Sequence, residues 1–240
     1  MTEETAALYV VPTPLGNLSD LTRRAAEVLC AVPWVAAEDT RHSAPLLKQV
    51  GSSARLLAAH EHNEQAAAEQ VIAKLAAGEA VALVSDAGTP GISDPGARLV
   101  ARVRAAGFRV VPLPGPCAAV TALSAAGLAE PHFLFYGFLP AKAGQRDAAL
   151  QALVGLPYAL VFYEAPHRIL ETVAALARAL GGERTLVVAR ELTKLFETIH
   201  SGPLAEAEAW LTADPNRQRG EFVLLVAGAP ERPNDALSDE

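Results

Sequence analysis

Residues 83–96, LVSDAGTPGISDPG, decide how the first half of this chain is interpreted. A short apolar run ends in a carboxylate, and three glycines and two prolines follow within ten positions. The run is typical of a buried strand, whereas glycines and prolines favour a rigid loop whose backbone can approach a ligand closely. The stretch therefore predicts a strand with a binding loop at its carboxyl end, and the loop carries Asp86 and Asp94.

Strand-like and helix-like segments alternate on both sides of this loop. Five strands are predicted in the first half, at residues 7–11, 34–39, 55–60, 80–87 and 108–115. Helices are predicted between them at 18–32, with Ser19 or Asp20 as N-cap, and at 43–51, 63–78 and 97–107. Such alternation is typical of a parallel or mostly parallel sheet covered by helices on both faces.

The second half of the chain has a different pattern. Its predicted strands lie at 132–138, 158–164, 184–191, 195–202 and 220–228. Only a short turn at 192–194 separates two of them, which indicates a hairpin and a mixed sheet. We therefore predict an α/β protein with two domains, residues 1–115 and 116–228. The polar segment 229–240 is predicted to be disordered.

Composition narrows the class of protein. Of the 240 residues 51% are apolar and 20% are charged, as in globular domains. No apolar run approaches the ~20 residues that span a bilayer, and the acidic N-terminus does not resemble a signal peptide. Cys30 and Cys117 supply neither a disulfide framework nor a thiolate metal cluster. We expect a soluble cytoplasmic protein with no membrane partner.

The net charge of −7 argues against general nucleic-acid affinity, but basic residues are clustered. Examples are the pair Arg23–Arg24 and a row from Arg98 to Arg109. Such clusters are either solvated helix faces or the walls of a locally basic groove, and charge alone does not decide between them.

Unusual loops follow all five strands of the first half. They are residues 10–20, 37–42, 60–64, 86–96 and 112–118. Because ligands of open α/β sheets bind at the carboxyl ends of strands, five such loops at one edge predict a ligand site. The chain has no G-x-G-x-x-G, P-loop or G-x-S-x-G motif. His60 and His62 form an H-x-H pair, but without a third ligand we expect polar strand-end residues and no metal.

Eight motifs in these loops and in the second half identify a family. In order they read VPTPLGNLSDLT, EDTRHS, HEHNE, LVSDAGTPGISDPG, VPLPGPCAAVTALSAAGL, FYGFLPAK, FYEAPHR and ARELTKLFETIHSG. From Leu8 to Gly228 the chain resembles the bacterial ribosomal RNA small-subunit methyltransferase I family of the tetrapyrrole-methylase-like superfamily. The resemblance implies that S-adenosylmethionine is used to methylate the 2′-hydroxyl of a cytidine, cytidine-1402, in 16S rRNA of the small ribosomal subunit.

The resemblance also implies a homodimer that holds S-adenosylmethionine in the cleft between two α/β domains, without a metal. It assigns cofactor-binding residues motif by motif. They are Pro14, Leu15 and Gly16 after the first strand; Asp86, Ala87, Gly88, Thr89 and Gly91 around the methionine part; Pro116, Cys117 and Ala118 near the domain boundary; and Phe162, Tyr163, Glu191 and Leu192 towards the adenine.

Methylation of a ribose hydroxyl needs a group that accepts or orients its proton. The candidates at the loop edge are Glu38, Asp39, His60, His62 and Asp94, and Glu38, Asp39 and Arg41 could equally form an ion pair that braces the loop. Candidate substrate-binding cations, which would hold phosphates or the ribose, are Arg23, Arg24, Arg41, Arg168 and Lys194.

Other functions stay open at this point. A tetrapyrrole C-methyltransferase of the same superfamily would open with a Gly-Pro-Gly-Asp-type loop, where this chain has PTPLGN. A diphthamide-pathway methyltransferase also differs in that loop. A non-catalytic RNA-binding assembly protein of the same fold would bind S-adenosylmethionine without transferring its methyl group to RNA.

Overall fold

Residues 6–230 are described in the computed structural model, and they separate into two units, each built on one sheet. Unit 1 is Met1–Cys117 and unit 2 is Ala118–Glu240. The predicted boundary after Gly115 lies beside this division. Of the tail predicted to be disordered, residues 231–240 lie outside the described residues.

Unit 1 contains five strands with helices between them. The strands are β1 (Ala7–Val10), β2 (Trp34–Ala37), β3 (Arg55–Ala58), β4 (Val81–Val84) and β5 (Arg109–Pro112). The helices are α1 (Arg23–Ala31), α2 (Thr40–Val50), α3 (Glu64–Ala76) and α4 (Ala97–Ala105). All pairings are parallel, in the order β3-β2-β4-β1-β5, so the prediction of a parallel or mostly parallel sheet is confirmed.

Both faces of this sheet are covered, and β4 shows the effect. Its residues Ala82 and Val84 pack with α1 and α2, whereas Val81 and Leu83 pack with α3 and α4. All four side chains are buried, because helices lie on both sides. The strand therefore reads as a continuous apolar run without polar alternation.

Neighbouring strands β1 and β4 send their helices to opposite faces of the sheet. The chain leaves β1 for α1 on one face and leaves β4 for α4 on the other. Such a switch point opens a crevice at the carboxyl ends of the two strands. The loops that follow β1 and β4 begin at this crevice.

Two helix starts in unit 1 differ from the sequence prediction. Ser19 and Asp20 do not cap α1, because they lie in a 3₁₀ turn that Leu21, in extended conformation, separates from the helix. Thr22 is the cap instead, and its hydroxyl accepts a 3.1 Å hydrogen bond from the N–H of Ala25. The helix predicted at 43–51 begins at Thr40, because Asp39 caps it.

Unit 2 contains a mixed sheet, as predicted. Its strands are β6 (Phe133–Phe138), β7 (Ala159–Glu164), β8 (Thr185–Arg190), β9 (Thr198–Pro203) and β10 (Phe222–Val226), in the order β6-β7-β10-β8-β9. Only β6 and β7 are parallel. The predicted hairpin is confirmed as β8 and β9, although its turn extends to Glu197 because β9 begins later than predicted.

Helices cover both faces of this second sheet. They are α5 (Ala118–Ala126), α6 (Ala143–Gln151), α7 (Ile169–Leu180) and α8 (Ala207–Thr212). The last three enclose a core that includes Leu160 and Phe162, and α5 lies on the opposite face. The sequence prediction placed strands alone in this half, so it located none of these four helices, and the run of small residues in α5 has no clear apolar period. None of the helices within residues 6–230 is long and apolar enough to cross a bilayer.

Candidate active site

The loops after β1, β4 and β5 are joined at the carboxyl edge of the first sheet. Thr13 and Gly88 exchange backbone hydrogen bonds of 2.9 and 3.0 Å, and the Thr13 hydroxyl donates to the carbonyl of Ser85 at 3.0 Å. The hydroxyl of Thr89 donates to the carbonyl of Pro116 at 2.8 Å. These contacts hold the three loops together, and we call the joined loops the loop frame.

Gly88 lies where the three loops meet. Its φ of +83° is in the left-handed region, and a Cβ there would lie 3.3 Å from Cδ2 of Leu15 and 3.8 Å from the carbonyl oxygen of Pro116. Only glycine fits this position without strain. Leu15, Gly88, Thr89 and Pro116, four of the predicted cofactor residues, are therefore brought together in unit 1.

The other predicted cofactor residues of unit 1 are accessible in the same loops. Pro14, Asp86, Ala87, Gly91 and Cys117 are half-buried, and Gly16 is exposed. None of these residues belongs to the hydrophobic core of the unit. Their backbone and side chains are available to a ligand, and their assignment to the cofactor stays a prediction.

Three carboxylates gather beside this frame. Glu38 directly follows β2, while Asp86 and Asp94 belong to the loop after the neighbouring strand β4. Burial raises the pKa of Asp94 to about 7, helped by the charges of Glu38 and Asp86 and opposed by a hydrogen bond with Ser85. Burial, together with the charge of Asp86, also raises the pKa of Glu38. Glu38 and Asp94 therefore hold protons more tightly than ordinary carboxylates do.

Asp39 has a different environment. Both of its oxygens accept hydrogen bonds from the Arg41 guanidinium, at 3.1 and 2.8 Å, and one also accepts from the N–H of Arg41. These bonds lower the pKa of Asp39 to about 2. Asp39 and Arg41 thus form the ion pair that was one of the two alternatives in the sequence analysis. The same carboxylate caps α2.

The 60–64 motif is held by structural contacts. The Asn63 side chain accepts from the N–H of His60 at 2.8 Å and donates to the carbonyl of Ala58 at 3.1 Å. The buried carboxylate of Glu64 accepts a hydrogen bond from the N–H of Gly96. The sequence gives no sign of this role, because the two residues are far apart along the chain.

His60 is exposed, and its ring lies 6.2 Å from that of His62 in an edge-on arrangement. Across the described range, residues 6–230, no group of three or more histidine, cysteine, aspartate or glutamate side chains is arranged to hold a metal ion.

The predicted cofactor residues of unit 2 lie in two places. Phe162 is fully buried in the core of the unit, and the hydroxyl of its neighbour Tyr163 accepts a 3.0 Å hydrogen bond from the N–H of Ala119 at the start of α5. Glu191 has a φ of +52° and begins the turn between β8 and β9, followed by the buried Leu192. Ala118 begins α5. Their contact with a cofactor stays a prediction.

The predicted substrate-binding cations differ in availability. The ammonium of Lys194 lies 2.9 Å from the carboxylate of Glu191 and 2.6 Å from that of Glu221. Burial lowers the pKa of Lys194, but the bonds with the two carboxylates outweigh burial, so the pKa is raised. Arg168 donates a 2.7 Å hydrogen bond to the carbonyl of Leu139, so its guanidinium is engaged in a structural contact within unit 2.

The other two cations lie on the first turn of α1. Arg23 is exposed and forms an ion pair with Glu27 at 2.9 Å. Arg24 is exposed beside it. These two side chains can reach a polyanion more readily than Arg168 can.

A cavity of about 690 Å³ lies within unit 1. It is bounded by α4, β5 and the loop after β4, and its wall includes Thr89, Gly91, Phe108 and Arg104. Two of the predicted cofactor residues thus border an open volume with largely apolar walls and one cation.

Comparison with known proteins assigns this chain to a class. The family of "Tetrapyrrole (Corrin/Porphyrin) Methylases" matches residues 7–208. The chain therefore belongs to the tetrapyrrole methylase family and is a methyltransferase.

Relatives with high sequence identity have a more specific name than the family. The ribosomal RNA small subunit methyltransferase I of Escherichia coli O157:H7 is 55% identical over 232 residues, which cover 97% of this chain and 81% of the relative. The protein of that name from Pseudomonas aeruginosa PAO1 is 57% identical over 226 residues, which cover 93% and 80%. The resemblance found in the sequence motifs is thereby confirmed.

Solved structures confirm the fold. The methyltransferase CobJ superposes with a TM-score of 0.70 at 20% identity, covering 95% of this chain and 96% of that one. Uroporphyrin-III C-methyltransferase from Thermus thermophilus, complexed with S-adenyl homocysteine, gives a TM-score of 0.63 at 18% identity, covering 92% and 97%. At such identities the likeness concerns the fold alone.

Proposed function

We propose that this methyltransferase uses S-adenosylmethionine to methylate the 2′-hydroxyl of a cytidine in 16S rRNA, the position known in the family as cytidine-1402. The observation that carries the proposal is the loop frame around Gly88 with the carboxylate cluster beside it. The names of relatives at 55 and 57% identity support ribosomal RNA as the substrate. Tetrapyrrole methylation is supported by the name of the broad family and by structures at 20 and 18% identity, which is weaker support than relatives at more than 50% identity give.

The residues in the frame suit this cofactor. When bound, S-adenosylmethionine supplies an electrophilic methyl group on a sulfonium ion, and the C–S bonding pair stays on sulfur after transfer. Backbone carbonyls and carboxylates are appropriate neighbours for a cation, and neither competes strongly for the methyl group. Asp86 and the backbone from Ala87 to Gly91 would hold it, with Leu15 and Pro116 fixing the loop from either side.

Asp94 is the residue best suited to accept the hydroxyl proton. A base works best when its pKa lies near the working pH, and the pKa of Asp94 is about 7. Asp39, with a pKa of about 2, is a much weaker base and is already paired with Arg41. Glu38, whose charge helps to raise the pKa of Asp94, would act as a positioning residue.

The first test is a transfer assay with radiolabelled S-adenosylmethionine. Unmethylated small ribosomal subunits, naked 16S rRNA and a tetrapyrrole precursor are offered in parallel, and RNA is digested to nucleosides. Label in 2′-O-methylcytidine is expected. Label in the tetrapyrrole would overturn the proposed substrate, and cofactor binding without any transfer would support a non-catalytic assembly protein.

A second test concerns Asp94. Single-turnover rates of the unaltered protein should rise about tenfold per pH unit below 7 and level off above it, because only the ionised carboxylate accepts a proton. Asp94→Asn should lower the rate by roughly two orders of magnitude or more and remove this slope. A slope that survives in Asp94→Asn would assign the proton to another group.

A further inference from the structure

Strand β6 forms one edge of the second sheet and carries exposed aromatic rings. Phe133 is 46% exposed and Phe138 is 51% exposed. Large aromatic side chains on an open edge strand are a liability for a protein unless they serve a contact. We therefore expect these two rings to contact a binding partner.

A β-bulge places these rings on one face of the sheet. The pairing of β6 with β7 shifts register between Phe135 and Gly137, so that Phe138 lies opposite Tyr163. Without the bulge, Phe138 would alternate to the face opposite Phe133 and Phe135. We call Phe133, Phe135, Phe138 and Tyr163 the aromatic face.

Three of the four rings of the aromatic face are packed against one another. The ring of Tyr163 lies 4.9 Å from that of Phe135 and 5.7 Å from that of Phe138, both edge-on. Its hydroxyl is fixed by the N–H of Ala119. A rigid set of rings loses little conformational entropy when a flat ligand stacks on it.

The segment that carries the phenylalanines of the aromatic face has no negative charge, and Glu130, which precedes it, is half-buried and accepts a 2.6 Å hydrogen bond from the N–H of Gly228. Residues 131–142 contain no aspartate or glutamate, although the whole chain carries a net charge of −7, and they include His132 and Lys142. The one carboxylate of β7, Glu164, is buried and accepts a 2.6 Å hydrogen bond from Thr172. A polyanion can therefore approach β6 without meeting an exposed carboxylate from these segments.

We propose that the aromatic face binds unpaired bases of the RNA substrate by stacking, with Lys142 contacting the adjoining phosphates. Proteins that hold single-stranded RNA use the same combination of exposed rings on a sheet and nearby cations. The inference rests on the proposed function, since it concerns how that RNA substrate is held. It assigns to β6 a role that is separate from methyl transfer.

The test compares RNA affinity among full-length variants. Phe133→Ala/Phe138→Ala should weaken binding of a single-stranded 16S rRNA fragment roughly tenfold or more, because stacking on one aromatic ring is worth about 5- to 150-fold. Phe133→Tyr/Phe138→Tyr keeps the rings and should bind within about threefold of the unaltered protein. S-adenosylmethionine affinity should change less than about twofold in both.

Ile199→Ala is the matched control. Ile199 is 41% exposed on β9, the edge strand at the other side of the same sheet, so its truncation removes an exposed apolar side chain away from β6. RNA affinity should change less than about twofold in this variant. Melting temperatures of all variants verify that they are folded.

Each other outcome would overturn the inference. Unchanged RNA affinity in the double alanine variant would mean that bases do not stack on β6. A changed sedimentation coefficient with unchanged RNA affinity would make the aromatic face an interface between two copies of the chain. A parallel loss of S-adenosylmethionine affinity would assign it to the cofactor.

The inference and the proposed function can fail separately. If the unaltered protein transfers no methyl group to RNA, yet ultraviolet crosslinking joins RNA to the β6 peptide, the function fails and the stacking role stands. If methyl transfer to 16S rRNA is normal in the double alanine variant at subsaturating RNA, the stacking role fails and the function stands.

Discussion

The carboxylate of Asp86 accepts a 3.1 Å hydrogen bond from the backbone N–H of Asp39, and this contact joins the carboxyl ends of β4 and β2. It fixes one oxygen of Asp86 and brings its charge close enough to add to burial, which is the main reason that the pKa of Glu38 and of Asp94 is raised. A single side chain thus links loop geometry to the charge of the proposed site.

Asp86→Asn should therefore weaken binding of S-adenosylmethionine. The amide keeps an acceptor for the N–H of Asp39 but removes the negative charge that suits a sulfonium ion. Loss of a charge-assisted contact worth about 1.5–3 kcal/mol corresponds to a roughly 10- to 150-fold higher Kd, measured by calorimetry. Asp147→Asn makes the same change on α6, at a side chain that is 54% exposed, and should leave the Kd unaltered. Equal affinities in the two variants would contradict the role of Asp86.

Gly88→Ala tests the loop frame. A Cβ at this position must push Leu15 aside while the backbone keeps its positive φ. Gly107→Ala is the matched control, since Gly107 has a φ of +86° and open space around it. Both variants should lose about 1–2 kcal/mol of stability from backbone strain. Only Gly88→Ala should also lose affinity for S-adenosylmethionine, by roughly tenfold, and a similar loss in Gly107→Ala would show that strain alone is responsible.

The bond between Glu64 and Gly96 should stabilise the loop after β4. Glu64→Ala leaves a buried N–H without its partner, which costs about 1–3 kcal/mol, whereas Glu64→Gln keeps an acceptor and should cost less. Hydrogen exchange in peptides of α4 measures this local stability. Glu69→Ala removes an ion pair with Arg102 at a half-exposed site and should cost below about 1 kcal/mol. If amide hydrogens of α4 exchange no faster in Glu64→Ala than in Glu69→Ala, the bond between Glu64 and Gly96 does not stabilise the loop.

Asp94 should also make stability depend on pH. Its pKa is about 7 in the folded protein and 3.8 without the fold, so the folded state binds the proton more tightly between these values. The free energy of unfolding should fall as pH rises from about 4 to about 7, since ionised Asp94 is disfavoured by burial. Asp94→Asn should gain stability relative to the unaltered protein over this range, measured by urea denaturation at several pH values. A constant difference at all pH values would show that Asp94 titrates normally.

Several features of the fold follow directly from local sequence. The run Val81–Val84 is apolar throughout because both faces of its strand are covered, and Asp86 and Asp94 follow it in a loop rich in glycine. The expectation that Glu38 and Asp94 share an edge rests only on both following parallel strands. The contribution of Glu38 to the raised pKa of Asp94, which adds to that of burial, depends on β2 and β4 being neighbours, which alternation alone does not reveal.

Other features depend on contacts that no local pattern encodes. Glu64 lies in a polar motif that suggests a surface loop, yet it is buried because Gly96, from a distant segment, meets it. Phe138 lies on the same face as Phe133 only because of a bulge, and strict alternation would separate them. Thr22 rather than Ser19 caps α1, since the intervening 3₁₀ turn cannot be told from a helix start by residue type.

The position of β1 between β4 and β5 governs the order in which unit 1 can assemble during synthesis. Among the five strands of unit 1, β1 precedes the others along the chain, but the partner on its outer side, β5, ends only at Pro112. A nascent chain or fragment that stops between β4 and β5 therefore leaves one edge of β1 without hydrogen-bond partners. An unpaired edge on an apolar strand promotes aggregation. The first sheet is complete only when its last strand has left the ribosome.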